Sequence, residues 1–243
     1  VLLLLTLVRT DLLEGWRATL DEDAPNHFLI NIQPREVDSV AALFAANEIE
    51  VPTFTPLVRA RMMTINGESV KERTYPNEEG EWLANREANL SWSANLSSSN
   101  EILEGEWWPA DYDGPPLVSI EEESAMNAGL TIGDQLKFFV AGREVEAEIA
   151  SVRKVNWDSF QPNFFMVLSP GALAGAPHTH IATLYAEPEA EAPVMRAVSR
   201  DMPNVTPVLV RDQIETVSNS LDKLGTATRW GALAVLLTGL AVL

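Results

Sequence analysis

No cysteine occurs among the 243 residues, so disulfides and thiolate chemistry are excluded. A cysteine-free chain suits an oxidising compartment without requiring one. Cations are scarce as well: 17 Lys and Arg stand against 35 Asp and Glu, for a formal net charge of −18. Such a chain repels phosphate-rich polymers, which argues against a nucleic-acid partner. It also argues against docking on anionic headgroups, which calls for clustered Lys or Arg. No nucleophile elbow, phosphate-binding loop or dinucleotide glycine pattern is present, and His27, His178 and His180 are the only histidines. Finally, no apolar run reaches the ~20 residues that a membrane-crossing helix needs.

Two shorter apolar runs are nevertheless present, at opposite ends: residues 1–8 (VLLLLTLV) and 231–243 (GALAVLLTGLAVL). A signal peptide needs a basic segment before the first run and a small-residue cleavage site after it; no basic residue precedes the run, and Val8-Arg9-Thr10-Asp11 is no cleavage box. A buried core helix is the competing account of 231–243. The expectation adopted is that 1–8 ends one transmembrane helix, that 231–243 begins another, and that the intervening domain is held at a membrane surface.

Hydrophobic residues make up 46% of the chain, the share of a packed domain. Leu12, Leu13, Trp16 and Leu20 recur at helical spacing, as do Ile214, Val217, Leu221 and Leu224. Both segments (9–26 and 213–230) read as helical stalks whose seams face each other. Phe28–Ile32 reads as a buried strand, Val37–Asn47 as a helix opened by Pro34, and Thr55–Ile65 as a strand ending at the Asn66-Gly67 turn. In that strand Leu57, Arg59, Arg61 and Met63 share one side. Ile181–Tyr185, Ala192–Asp201 and Val205–Val210 repeat the β-α-β order. The expected fold class is α+β: two β-α-β halves, 27–69 and 179–212, in a ferredoxin-like arrangement. Residues 70–178 then form a β-rich insertion, with a short helix at 121–128, a hairpin turning at Ala141–Glu144, and a strand at Asn163–Ser169.

Five of the seven tryptophans fall in that insertion. Trp107 and Trp108 are expected to point opposite ways on a strand, leaving one exposed. With Trp157 and Phe160 they are the candidate surface for a partner or an apolar cargo. His178 and His180, two apart, share a strand face and could supply half of a zinc site, but the plainer expectation is exposed histidines at a strand start. Glu121-Glu122-Glu123 opens a helix, where carboxylates cap exposed N–H groups.

Three segments carry a family resemblance: 9–16 (RTDLLEGW), 26–33 (NHFLINIQ) and 157–165 (WDSFQPNFF). With the order of stalk, β-α-β, β-rich insertion, β-α-β and stalk, the chain resembles the periplasmic domain of FtsX/MacB-type ABC transporter permeases, in the YbbP-like branch. The resemblance implies a bacterial inner-membrane permease subunit that is not an enzyme and has no nucleotide site or cofactor. A separate ATPase subunit would drive the stalks. It further implies a periplasmic lysophospholipase- or thioesterase-like partner and a lipid-like cargo. The alternative class is a membrane-tethered hydrolase or binding protein acting alone.

Overall fold

A computed structural model describes residues 25–159 and 161–209. Both apolar runs, Phe160, and the seam residues Leu12, Leu13, Trp16, Leu20, Ile214, Val217, Leu221 and Leu224 lie outside the described residues. Among the described residues no helix is long and apolar enough to cross a membrane.

The chain runs β1 (His27–Ile32), α1 (Val37–Ala46), β2 (Thr55–Ile65), β3 (Glu68–Ser69), α2 (Glu78–Asn85), β4 (Glu87–Trp92), β5 (Asn100–Gly105) and β6 (Leu117–Glu121). It continues through α3 (Glu122–Ala128), β7 (Gln135–Val140), β8 (Arg143–Val155), β9 (Met166–Leu168), β10 (Thr179–Leu184), α4 (Pro188–Asp201) and β11 (Thr206–Leu209). Pro34 opens a 3-10 turn, Pro34–Glu36, that leads into α1. Its missing N–H costs nothing in a first helical turn.

The strands form one connected sheet with two differently shaped parts. In the first, β11, β1, β10 and β2 lie side by side, each pair antiparallel. Residues of β1 and β10 alternate between faces, and α1 and α4 cover one of them. Leu29, Ile32, Ala182 and Leu184 are sealed there against Val40, Phe44, Val194 and Val198.

In the second part the pairing closes on itself. β2 pairs with β4, β4 with β9, β9 with β6, β6 with β8, β8 with β7, and β7 with β2. This ring is a small barrel, and closure leaves its staves without free edges. Side chains fill the interior, among them Met62, Leu90, Ile120, Phe138, Ile149 and Met166. The helices α2 and α3 add Leu83, Ala84, Ala125 and Ala128 to the same core. The eleven residues of β2 serve both parts, pairing with β10 near their start and with β7 near their end.

Local chemistry explains several boundaries. Asn66 and Gly67 have φ of 52° and 82°, the doubly left-handed pair of a tight hairpin turn. Asn66 Oδ1 accepts from Gln135 N at 2.8 Å, and its Nδ2 donates to Asp134 Oδ1 at 2.8 Å, tying this turn to the start of β7. Glu121 caps α3, accepting from the backbone of Glu123 and Ser124 and from the Ser124 hydroxyl. The helix after β10 starts at Pro188, earlier than the apolar spacing from Ala192 indicates. The strand expected over Asn163–Ser169 shortens to Met166–Leu168, all three residues buried between β4 and β6.

Candidate functional site

On the four-stranded part, no helix among the described residues lies over the face opposite α1 and α4. Phe28 and Ile30 of β1, Leu57 of β2, Ile181 of β10 and Val208 of β11 line the floor of a cleft of about 600 Å³ there. Ile30 is 38% exposed, in contrast to the sealed Leu29 beside it. A bulge between Leu29 and Ile32, with Asn31 at φ 63°, re-aims the chain at this point.

Trp157 and residues 161–166 build the wall of the cleft. Asn163 ties this segment down: its Oδ1 accepts from Ser99 Oγ and Asn100 Nδ2, and its Nδ2 donates to Asn156 O. Gln161 Oε1 accepts from Thr183 Oγ1 at 3.3 Å, joining the segment to β10. Beneath the wall lies Arg153, 1% exposed. Its guanidinium donates to the carbonyl oxygens of Ser119 (2.7 Å), Phe165 (3.5 Å) and Phe164. Burial lowers its pKa to about 10, while the nearby Glu121 carboxylate acts in the opposite direction. Arg153 therefore stays charged at neutral pH and fixes the backbone on which the two phenylalanines are mounted.

Along the mouth of the cleft runs an aromatic ladder. The Arg86 guanidinium sits 4.2 Å from the Trp82 ring centroid and 5.9 Å from that of Phe165, which in turn is 5.1 Å from Trp157. Trp82 and Trp157 are 59% and 49% exposed. Aromatic rings with an interleaved arginine are the side chains that dominate binding at protein surfaces.

The sequence-derived candidates divide. Trp157 lines the cleft, and Phe160 lies outside the described residues. Trp107 and Trp108 do not point opposite ways, because the chain after β5 is irregular there rather than a strand. Their rings stack at 4.1 Å, and their indole N–H groups donate to Ala94 O and Ser93 O. Trp108 is 4% exposed and packs with Phe164 and Val167, so it supports the wall from behind and is no part of the surface.

His178 and His180 are half-buried rather than exposed. Their rings meet edge to face at 5.1 Å, and His178 also abuts Trp92 at 4.9 Å. Burial, then the neighbouring His178, pushes the His180 pKa below its ordinary value. No group of three or more metal-ligating side chains forms among the described residues. Arg86, Trp82 and Arg153 carry no local signal in the sequence; only the fold brings Arg86 to the cleft, Trp82 against Arg86 and Arg153 beneath the wall.

No family model matches the chain. It is 36% identical over 183 residues to an uncharacterized ABC transporter permease, YbbP, of Escherichia coli strain K12; the match takes in 75% of the chain but 22% of that permease's length. A crystal structure of a permease-protein domain from Porphyromonas gingivalis aligns over 78% of this chain and 84% of its own, at 14% identity and a TM-score of 0.36. The chain spans about a fifth of the length of the E. coli permease and, on that sequence match, belongs with the YbbP-like ABC transporter permeases.

Proposed function

We propose that the chain is the extracytoplasmic domain of an ABC transporter permease subunit, placed on the periplasmic side of a bacterial inner membrane. ATP is hydrolysed by a separate subunit, and stalk movement is transmitted through this domain to a periplasmic partner or a lipid-like cargo. The observation that carries the proposal is the apolar face of β11-β1-β10-β2 that lines a cleft among the described residues, walled by Trp157 and residues 161–166. A preformed apolar cleft with a few polar groups at its rim suits the capture of an apolar group. In the same proposal the four strands with α1 and α4 are ferredoxin-like, residues 70–178 are inserted between the two halves, and the periplasmic partner is a lysophospholipase- or thioesterase-like protein.

Reporter fusions at Asn66 and at Gly142, both in exposed turns, test the orientation: both are expected to be active outside the cytoplasm, and a cytoplasmic signal from either overturns it. Full-length permease purified with its ATPase tests the rest, through mass spectrometry of bound lipids and proteins. Coupling is tested by Asn219→Pro within the expected second stalk, 213–230. A proline inside a helix costs ~3 kcal/mol or more and kinks it, so ATP hydrolysis is expected to continue while periplasmic action is lost.

A further inference from the structure

The scarce cations of this chain are not spread evenly. Beyond Leu57, the outward side of β2 carries Arg59, Arg61 and Met63, and Lys71 follows β3 beside them. These residues surround a second hollow of about 720 Å³, next to Phe139 of β7, which pairs with Arg61. Met63 and Phe139 are 40% and 46% exposed. One carboxylate, Glu87, lines the hollow, and it reaches Arg59 at 3.8 Å. Among the described residues, neither Arg61 nor Lys71 has a carboxylate partner within ion-pair distance. Carboxylates outnumber cations about two to one in this chain, so a cluster with a local positive excess and two exposed apolar side chains stands out.

We infer that this face of β2 is a docking site for an acidic segment of a soluble partner protein, separate from the apolar cleft. Charge complementarity supplies the attraction and the register, and Met63 and Phe139 supply the apolar contact that a binding centre needs. Position decides between a protein and a bilayer. The described chain enters near His27 and leaves at Leu209, which pair with each other, and His27 also pairs with Leu184. β2 runs antiparallel to β10, with Leu57 level with Thr179. Five residues from Leu184 to Thr179 and four from Leu57 to Arg61, at ~3.4 Å each, put the cluster about 30 Å from that end. The proposed membrane lies at that end, so anionic headgroups are out of reach. This choice of partner rests on the proposed orientation; the cluster itself does not.

The test uses the full-length permease in neutral-lipid nanodiscs. The probe is a labelled peptide of alternating Glu and Phe, with phosphatidylglycerol vesicles as the rival. Wild type is expected to bind the peptide, less so as salt shortens the screening length from about 10 Å at 0.1 M to about 3 Å at 1 M. Arg61→Glu with Lys71→Glu is expected to weaken binding about tenfold or more, since like charges brought together are strongly unfavourable. Met63→Ala with Phe139→Ala should weaken it without changing the salt dependence. Arg196→Glu, an exposed charge reversal on α4, should leave it unchanged. Equal losses in the two charge reversals, or no binding by wild type, overturn the inference. Capture of the vesicles through Arg61 and Lys71 without competition by the peptide overturns the choice of a protein and gives the site to a membrane. The fusions at Asn66 and Gly142 report separately on the orientation.

Discussion

The two faces of the β11-β1-β10-β2 layer are built from alternate residues of the same strands, and they have opposite fates. On one, Leu29, Ile32, Ala182 and Leu184 are closed off by α1 and α4. On the other, Phe28, Ile30, Ile181 and Val208 are just as apolar but, among the described residues, line a cleft walled by Trp157 and residues 161–166. Hydrophobicity along the strand is therefore no guide to which face is core. The first face puts its apolar surface into stability; in the proposed function, the second keeps part of it for binding.

Substitutions on the two faces should separate these roles. The largest loss of stability is expected for Phe44→Ala under the covered face, where a fully buried aromatic leaves a cavity: about 3–5 kcal/mol, read from chemical denaturation. A loss below 1 kcal/mol would show that α1 is a loose cover. Arg153→Ala should cost about 3 kcal/mol or more, because it leaves the buried carbonyls of Ser119 and Phe164 without their donor. Its particular signature is a changed emission from Trp157, as the wall loses its anchor. Unchanged emission with lowered stability would make Arg153 a core residue with no bearing on the cleft.

On the open face, Ile30→Ser should move stability by no more than about 0.5–1 kcal/mol while lowering the affinity for an anilinonaphthalene dye severalfold. A large stability loss there would turn the cleft into ordinary core. The smallest effect concerns pH. In the folded chain His180 has a lowered pKa, so the unfolded chain binds the extra proton more readily. Stability is then fully present above the ordinary histidine value of about 6.5 and falls as pH drops below it. His180→Gln should flatten the thermal-melting profile across that window; an unchanged slope assigns the pH dependence to other groups.

Much of this was legible beforehand. The β-α-β elements around Val37–Asn47 and Ala192–Asp201, the Asn66-Gly67 turn and the hairpin at Ala141–Glu144 each follow from local signals: apolar period, proline position and left-handed turn residues. Even the side of β2 that carries Leu57, Arg59, Arg61 and Met63 could be read from alternation. What could not be read was that Lys71 and Phe139 join the arginines, because that depends on β3 and β7 flanking the same strand. The tryptophan pair shows the opposite failure. Strand alternation does not hold at Trp107 and Trp108, where the chain is irregular and two backbone carbonyls turn both indoles the same way. Arg153 gave no signal, since a charge between Val152 and Lys154 reads as solvated until the fold encloses it.

By itself the sequence determined the local elements and the charge balance, because backbone propensity and side-chain period act over a few residues. It also carried the kinship with transporter permeases, which is inherited along the chain. Tertiary structure alone decided that β7 closes a barrel back onto β2, that one apolar face is sealed while the other lines a cleft among the described residues, and that Arg153 is enclosed beneath the wall. These outcomes depend on pairings between residues far apart in the chain, whose free energy no local pattern records.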